Sequence, residues 1–208
     1  GSAGGGSIGG GTEENPDQDE SPRPHPFTDV ADGAWYADAV QAVYELALMT
    51  GTTPDRFSPD LTTSRAMLVT MLYRLEGSPA ASGAAPFPDV ADGQWYAGAV
   101  AWASASGIVT GYDNGRFGPE DTITREQLAT IFYRYASWKG YTGASPAPMD
   151  SYRDADQVSP YAVDAMGWAI SAGLITGTSD TTLSPSDFAT RAQAAVILSR
   201  FCKNLESK

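Results

Sequence analysis

The chain is poor in the residues on which most enzymes and metalloproteins depend. Cys202 is the only cysteine and His25 the only histidine among 208 residues. One thiol can close no disulfide within the chain and build no cysteine zinc cluster, so we expect it as a small, half-buried residue of the last helix. His25 lies in Pro22-Arg23-Pro24-His25-Pro26, a proline-locked segment that mounts a general base poorly. Ser-His-Asp and Cys-His catalysis are thereby excluded, and we expect His25 to be solvated. No apolar run approaches the roughly 18 residues of a membrane-spanning helix. The opening Gly1-Ser2-Ala3 does not read as an export signal, which begins with a basic residue and an apolar core. Positive charge is scarce too, with 13 Lys and Arg against 25 Asp and Glu and a net charge of −12. An acidic surface disfavours nucleic acid and anionic membranes. An anionic partner must therefore be held by local cations in a groove, against the general field.

What the chain does have is repetition. After a Gly-rich, acidic and Pro-rich stretch at 1–26, read as a flexible linker, Phe27-Thr28-Asp29-Val30-Ala31-Asp32-Gly33-Ala34-Trp35-Tyr36 returns as Phe87-Pro88-Asp89-Val90-Ala91-Asp92-Gly93-Gln94-Trp95-Tyr96. It returns again, loosely, as Tyr152-Arg153-Asp154-Ala155-Asp156 followed by Pro160-Tyr161. Thr50-Gly51, Thr110-Gly111 and Thr176-Gly177 follow, and Arg65, Arg125 and Arg191 each fall 14 residues after that glycine. Phe57, Phe117 and Leu183 recur between them, as do Pro59, Pro119 and Pro185. Such a period defines a repeat architecture. We divide the chain into the linker 1–26 and repeats at 27–79, 86–139 and 149–205, with 27–205 forming one structural unit.

Each repeat reads as a loop, a helix A, a turn-rich loop and a helix B, an all-α chain of tandem helix-loop-helix units. Apolar residues recur at helical spacing in helix A at Ala39, Val43 and Leu46, then Ala99, Trp102 and Ala103. Helix B carries Leu68, Met71, Leu72 and Leu75; then Leu128, Ile131, Phe132 and Tyr135; then Ala194, Ile197, Leu198 and Phe201. The Thr-Gly pairs read as helix A stops. The third repeat carries one extra residue, which we expect between Tyr161 and its helix. Asp113-Asn114-Gly115 lacks the alternating ligands of a calcium loop and reads as a tight turn.

The starts of the B helices draw most notice. Thr124 with Gln127 forms a capping box before the apolar run, which makes Arg125 the first helical residue. Thr190-Arg191-Ala192-Gln193 repeats the pattern and Ser64-Arg65-Ala66-Met67 does so less completely. A cation at the positive end of a helix dipole, beside free N–H groups, makes sense where an anion docks between them. The competing reading is an internal ion pair with Asp60, Asp121 or Asp187.

These motifs together resemble three tandem S-layer homology (SLH) repeats, over nearly everything beyond the linker. The resemblance implies a pseudo-threefold spindle with the B helices in a central three-helix bundle and prongs built from the loops and A helices. It implies that grooves between prongs bind a secondary polysaccharide linked to peptidoglycan in Gram-positive bacteria, often one bearing pyruvylated N-acetylmannosamine. The chain is then a non-catalytic, monomeric anchor at the cell surface with no cofactor and no metal, and with this glycan as its partner rather than nucleic acid or membrane. The leading linker agrees with the C-terminal end of a larger exported protein. Carried over by position, the family's arginine falls on Arg65, Arg125 and Arg191, its aspartate on Asp29, Asp89 and Asp154, and its aromatic on Trp35, Trp95 and Tyr161; the aspartates read equally as caps of helix A or as fixing the turn, and the tryptophans as core packing. Gly51, Gly111 and Gly177 complete the expected glycan-binding set by letting backbone approach a sugar. The family's glutamate after the arginine is here Met67, Gln127 and Gln193, which we read as cap positions. Lattice self-assembly is the alternative function. A wall-acting glycosidase is the third reading, although the repeats leave no room for a catalytic domain.

Overall fold

The computed structural model describes residues 24–206 except 142 and 144, so the linker expectation lies outside the described residues up to residue 23. Six α-helices carry the fold: α1 (Ala37–Glu45), α2 (Arg65–Leu75), α3 (Ala97–Ala105), α4 (Arg125–Lys139), α5 (Val163–Ser171) and α6 (Arg191–Glu206). Two 3-10 turns at Ala155–Gln157 and Pro160–Ala162 precede α5. The chain is all-α with three helix-loop-helix repeats. Among the described residues the only β-type pairing is a set of isolated bridges.

The A helices do not pack chiefly on their own repeat. Helix α3 lies on α2, α5 on α4, and α1 on α6, so each repeat covers the B helix of the one before it and the third closes onto the first. Backbone hydrogen bonds seal the closure. Thr63 N–H donates to the Ala189 carbonyl, Ala189 N–H to Ile123, and Ile123 N–H to Thr63, at 2.8, 2.9 and 2.9 Å, a ring with one peptide from each repeat. The B helices meet below this ring through large side chains. Phe201 packs against Phe132 and Tyr135, each with ring centroids 5.6 Å away, over fully buried Leu68, Leu72, Leu128 and Leu198. The Tyr135 hydroxyl donates to Glu76 at the end of α2, and Lys139 pairs with the same carboxylate at 3.1 Å. Cys202 is buried in this core, where burial pushes its thiol up to about 11.

Several expectations need correction. Leu46 is exposed, and Val40 takes its place in the core beside Val43. Helix A stops five or six residues before each Thr-Gly pair. The left-handed residues that end it are Ala47, Gly107 and Gly173, with φ of 55°, 70° and 68°. The Leu48, Ile108 and Leu174 N–H groups then reach back to the Val43, Ala103 and Ala169 carbonyls at 2.8–2.9 Å, the closure of a Schellman motif. Gly51, Gly111 and Gly177 serve packing instead. A Cβ on Gly111 would stand 2.7 Å from the Phe87 ring and 2.8 Å from the Arg116 carbonyl. The extra residue of the third repeat lies between Asp154 and Tyr161, because Tyr161 stands directly before Ala162 and Val163 as Trp35 does before Tyr36 and Ala37. His25 is not simply solvated: its backbone N–H donates to Gln41 at 2.9 Å, its Nδ1 accepts from Phe27 N–H at 3.2 Å, and its ring stacks on Phe27. Asp113-Asn114-Gly115 is a tight turn, with Gly115 N–H on the Tyr112 carbonyl and Asn114 Oδ1 accepting from Arg116 N–H.

Candidate functional site

Capping geometry at the B helices follows the local sequence. Thr124 and Gln127 form a complete capping box, Thr190 and Gln193 make both bonds at 3.2 Å, and Ser64 caps through its own hydroxyl alone because Met67 cannot reciprocate. The free N–H groups expected beside the arginines are not free. Arg65 and Ala66 N–H donate to the Asp121 and Pro119 carbonyls, Arg125 and Glu126 to Asp187 and Pro185, and Arg191 and Ala192 to Leu61 and Pro59. Each helix start is thus capped by the loop of the next repeat, which leaves no anion site on the helix axis.

The arginine side chains work the same junctions. Arg65 Nε donates to the Phe117 carbonyl at 2.8 Å and Nη2 to Thr110 at 3.3 Å. Arg125 does so to Leu183 and Thr176, both at 2.9 Å, and Arg191 to Phe57 and Thr50 at 2.8 and 2.6 Å. Their partners are carbonyls; neither ion pair found among the described residues involves them. Burial pulls all three guanidinium groups below their ordinary pKa, offset in part by nearby carboxylates, yet an arginine remains charged throughout the physiological range. Arg65 also lies over the rings of both Tyr112 and Phe117, at 4.6 and 4.8 Å from their centres.

These staples form the floors of three grooves of about 410, 390 and 330 Å³, and every groove draws on all three repeats. Groove I joins the 48–52 loop and α2 with Arg191 and Trp95. Groove II joins the 109–113 loop and α4 with Arg65 and Tyr161. Groove III joins the 174–178 loop and α6 with Arg125 and Trp35. Gly51, Gly111 and Gly177 line grooves I, II and III in turn. Trp35, Trp95 and Tyr161 are 67%, 58% and 55% exposed, so each presents a ring face to solvent at a groove wall.

A second set of arginines, missed in the sequence reading, lines the same grooves: Arg74, Arg134 and Arg200. Each stands nine residues after the first arginine of its helix, and that recurrence was the available signal. Arg74 and Arg200 donate to the Leu48 and Leu174 carbonyls at 3.3 and 3.2 Å. Arg134 donates to no acceptor among the described residues. In groove I the buried Thr70 hydroxyl also has no partner among them.

Asp29, Asp89 and Asp154 line none of these three grooves. Their carboxylates accept two backbone N–H groups each: Phe57 and Ser58, Phe117 and Gly118, and Leu183 and Ser184, all at 2.8–2.9 Å. Burial on its own would raise these carboxyl groups, but the backbone bonds outweigh it and hold all three below the usual carboxylate value. Each braces the loop whose carbonyl receives the arginine of the preceding repeat, the third repeat preceding the first in the closed ring.

The S-layer homology domain matches the sequence at residues 26–66, 86–129 and 151–195, more than half of the chain. The chain belongs to the SLH family. It is also 34% identical over 84% of its length to an endoglucanase of Bacillus sp. (strain KSM-635), of which it covers 18%. It is 29% identical over 82% of its length to the surface-layer 125 kDa protein of Lysinibacillus sphaericus, covering 14% of it. Against an S-layer protein of Bacillus thuringiensis subsp. finitimus, identity is 25% over 84% of the chain and 21% of the relative. The SLH chain therefore spans about a fifth or less of these proteins, and its likeness to the endoglucanase is confined to the same fraction.

Proposed function

We propose that the three grooves bind the secondary polysaccharide of the cell wall, with a terminal acidic sugar such as pyruvylated N-acetylmannosamine as the recognised group. The chain is an SLH binding module of the cell surface, of the wall-anchoring or S-layer kind. One observation carries the finer reading: two arginines and one exposed aromatic ring, drawn from all three repeats, converge in each groove. A carboxylate on the sugar pairs with a guanidinium fork, and the aromatic face covers the apolar C–H face of the ring. Localising two cations in a cleft overcomes the repulsion from a chain of net charge −12.

The two arginine sets separate binding from folding. Arg125→Ala strips the Leu183 and Thr176 carbonyls of their donors, which costs about 1.5–3 kcal/mol per charged bond and lowers the melting temperature along with binding. Arg134→Ala removes no hydrogen bond among the described residues and is expected to lower binding alone. Cosedimentation with purified wall sacculi, before and after the sacculi are stripped of polysaccharide, checks both. Full retention of Arg134→Ala and Trp35→Ala on intact sacculi, or equal retention of wild type on stripped ones, overturns the reading.

A further inference from the structure

The three grooves obey the same pseudo-symmetry, yet their aromatic walls are held in different ways. In grooves III and I the wall is a tryptophan followed by a tyrosine, and the two rings support each other edge to face. Trp35 and Tyr36 have centroids 5.2 Å apart at 86°, and Trp95 and Tyr96 5.1 Å apart at 85°. In groove II the wall is Tyr161, and the residue after it is Ala162, so no neighbouring ring supports it from that side.

The deficit coincides with a second departure from symmetry. The second residue of the B helix is Ala66 in groove I and Ala192 in groove III, both buried. In α4, the B helix of groove II, it is Glu126, a carboxylate 6% exposed that lies behind the groove lining. Its Oε2 accepts the Ser159 N–H at 2.9 Å, and its Oε1 accepts the Ser159 hydroxyl at 2.7 Å and the Tyr161 hydroxyl at 3.3 Å. Burying a carboxylate is costly unless its oxygens are satisfied, and here their partners among the described residues are Ser159, which caps the 3-10 turn Pro160–Ala162, and Tyr161 within it. Burial and the Glu126 charge also push the Tyr161 phenol up to about 12, so it remains a donor to this carboxylate at any physiological pH.

We propose that Glu126 is the positioning residue of groove II, holding the Tyr161 ring as a fixed wall in place of the tyrosine partner that supports the tryptophans of the other two grooves. The proposal rests on the glycan reading of the grooves but concerns the order of one side chain, so the two fail separately. Groove II is consequently the groove with a hydrogen-bonded tyrosine wall, and among the described residues its Arg134 donates to no loop carbonyl. It recognises the acidic sugar through polar contacts, where grooves I and III offer a wider indole face.

The test uses the full chain with 13C-labelled tyrosine rings, Tyr161 being assigned through Tyr161→Phe. Ring relaxation of Tyr161 in the wild type is expected to match that of the backbone around it, with a marked loss of order in Glu126→Ala and a smaller one in Glu126→Gln, which serves where the alanine variant melts early. Unchanged Tyr161 relaxation in both variants overturns the proposal. Retention on polysaccharide-bearing sacculi is expected to fall equally for Glu126→Ala and Tyr161→Phe, with no further fall in the double variant. Additive losses also overturn it. A wild type that does not bind sacculi at all defeats the glycan reading, while the relaxation result still decides whether Glu126 orders Tyr161.

Discussion

At the residue scale, acid and amide side chains here brace the loops and cap the helix starts. Asp154 is buried, and its two oxygens satisfy the Leu183 and Ser184 N–H groups at 2.8 Å. Asp154→Ala leaves both donors without a partner and is expected to cost about 2–3 kcal/mol, read as a fall of roughly 5–10 °C in melting temperature. The pH dependence has a definite sign. Since the folded carboxyl lies below its ordinary value, its stabilisation is fully present above pH of about 4 and drains away as pH falls through the lowered folded pKa. Denaturant titrations of wild type and Asp154→Asn should therefore differ at pH 7 and converge in acid; a gap that persists at low pH contradicts the account. The recurrence of these aspartates was plain in the sequence, and so was a turn-fixing use beside sugar contact, but which loop they fix was not. A carboxylate that ties down its own loop and one that touches a sugar leave the same periodic trace, and only the position of the Phe57, Phe117 and Leu183 amides separates them. The same limit applies to the first arginines, whose carbonyl partners lie 45 to 141 residues away along the chain.

At the scale of the element, the B helices were legible because their cap, apolar stripe and length all agree within one short window. The ends of the A helices were not. The conspicuous Thr-Gly pairs drew the boundary too late, while the actual stop recurs as Ala47, Gly107 and Gly173 and is disguised by the alanine. An L-residue held at φ 55° bears strain that glycine does not, so Ala47→Gly is expected to raise stability by about 0.5–1 kcal/mol despite its entropic cost. Equilibrium unfolding in urea measures this directly, and a destabilised variant counts against the strain. The opposite outcome is expected at Gly111, where alanine drives a Cβ to 2.7 Å from the Phe87 ring. That overpacking costs about 1–3 kcal/mol and opens the turn beside groove II, visible as a lower melting temperature together with shifted Tyr112 resonances.

For the molecule as a whole, the decisive feature is closure. A linear array of repeats adds stability neighbour by neighbour and needs capping units at both ends. This chain has no end repeats in that sense, because α1 lies on α6 and the Thr63, Ile123 and Ala189 peptides complete a ring. The repeat number and the B-helix stripes could be read from periodicity, but a contact between the first and third repeats has no local signature, and neither does the assembly of each groove from three repeats. Closure also predicts how the fold fails. Three pairings of A and B helices hold the spindle together, α1 with α6, α2 with α3, and α4 with α5. Removing residues 149–206 eliminates α5 and α6, so it breaks two of the three and leaves α1 and α4 with apolar faces in water. Only α2 with α3 keeps its partner, and all three grooves lose at least one wall or cation. The truncated chain is therefore expected to lose its cooperative thermal transition and most of its helical circular dichroism, well beyond the helix content deleted. A sharp transition with two-thirds of the ellipticity retained would mean that the repeats fold independently and that the ring is incidental.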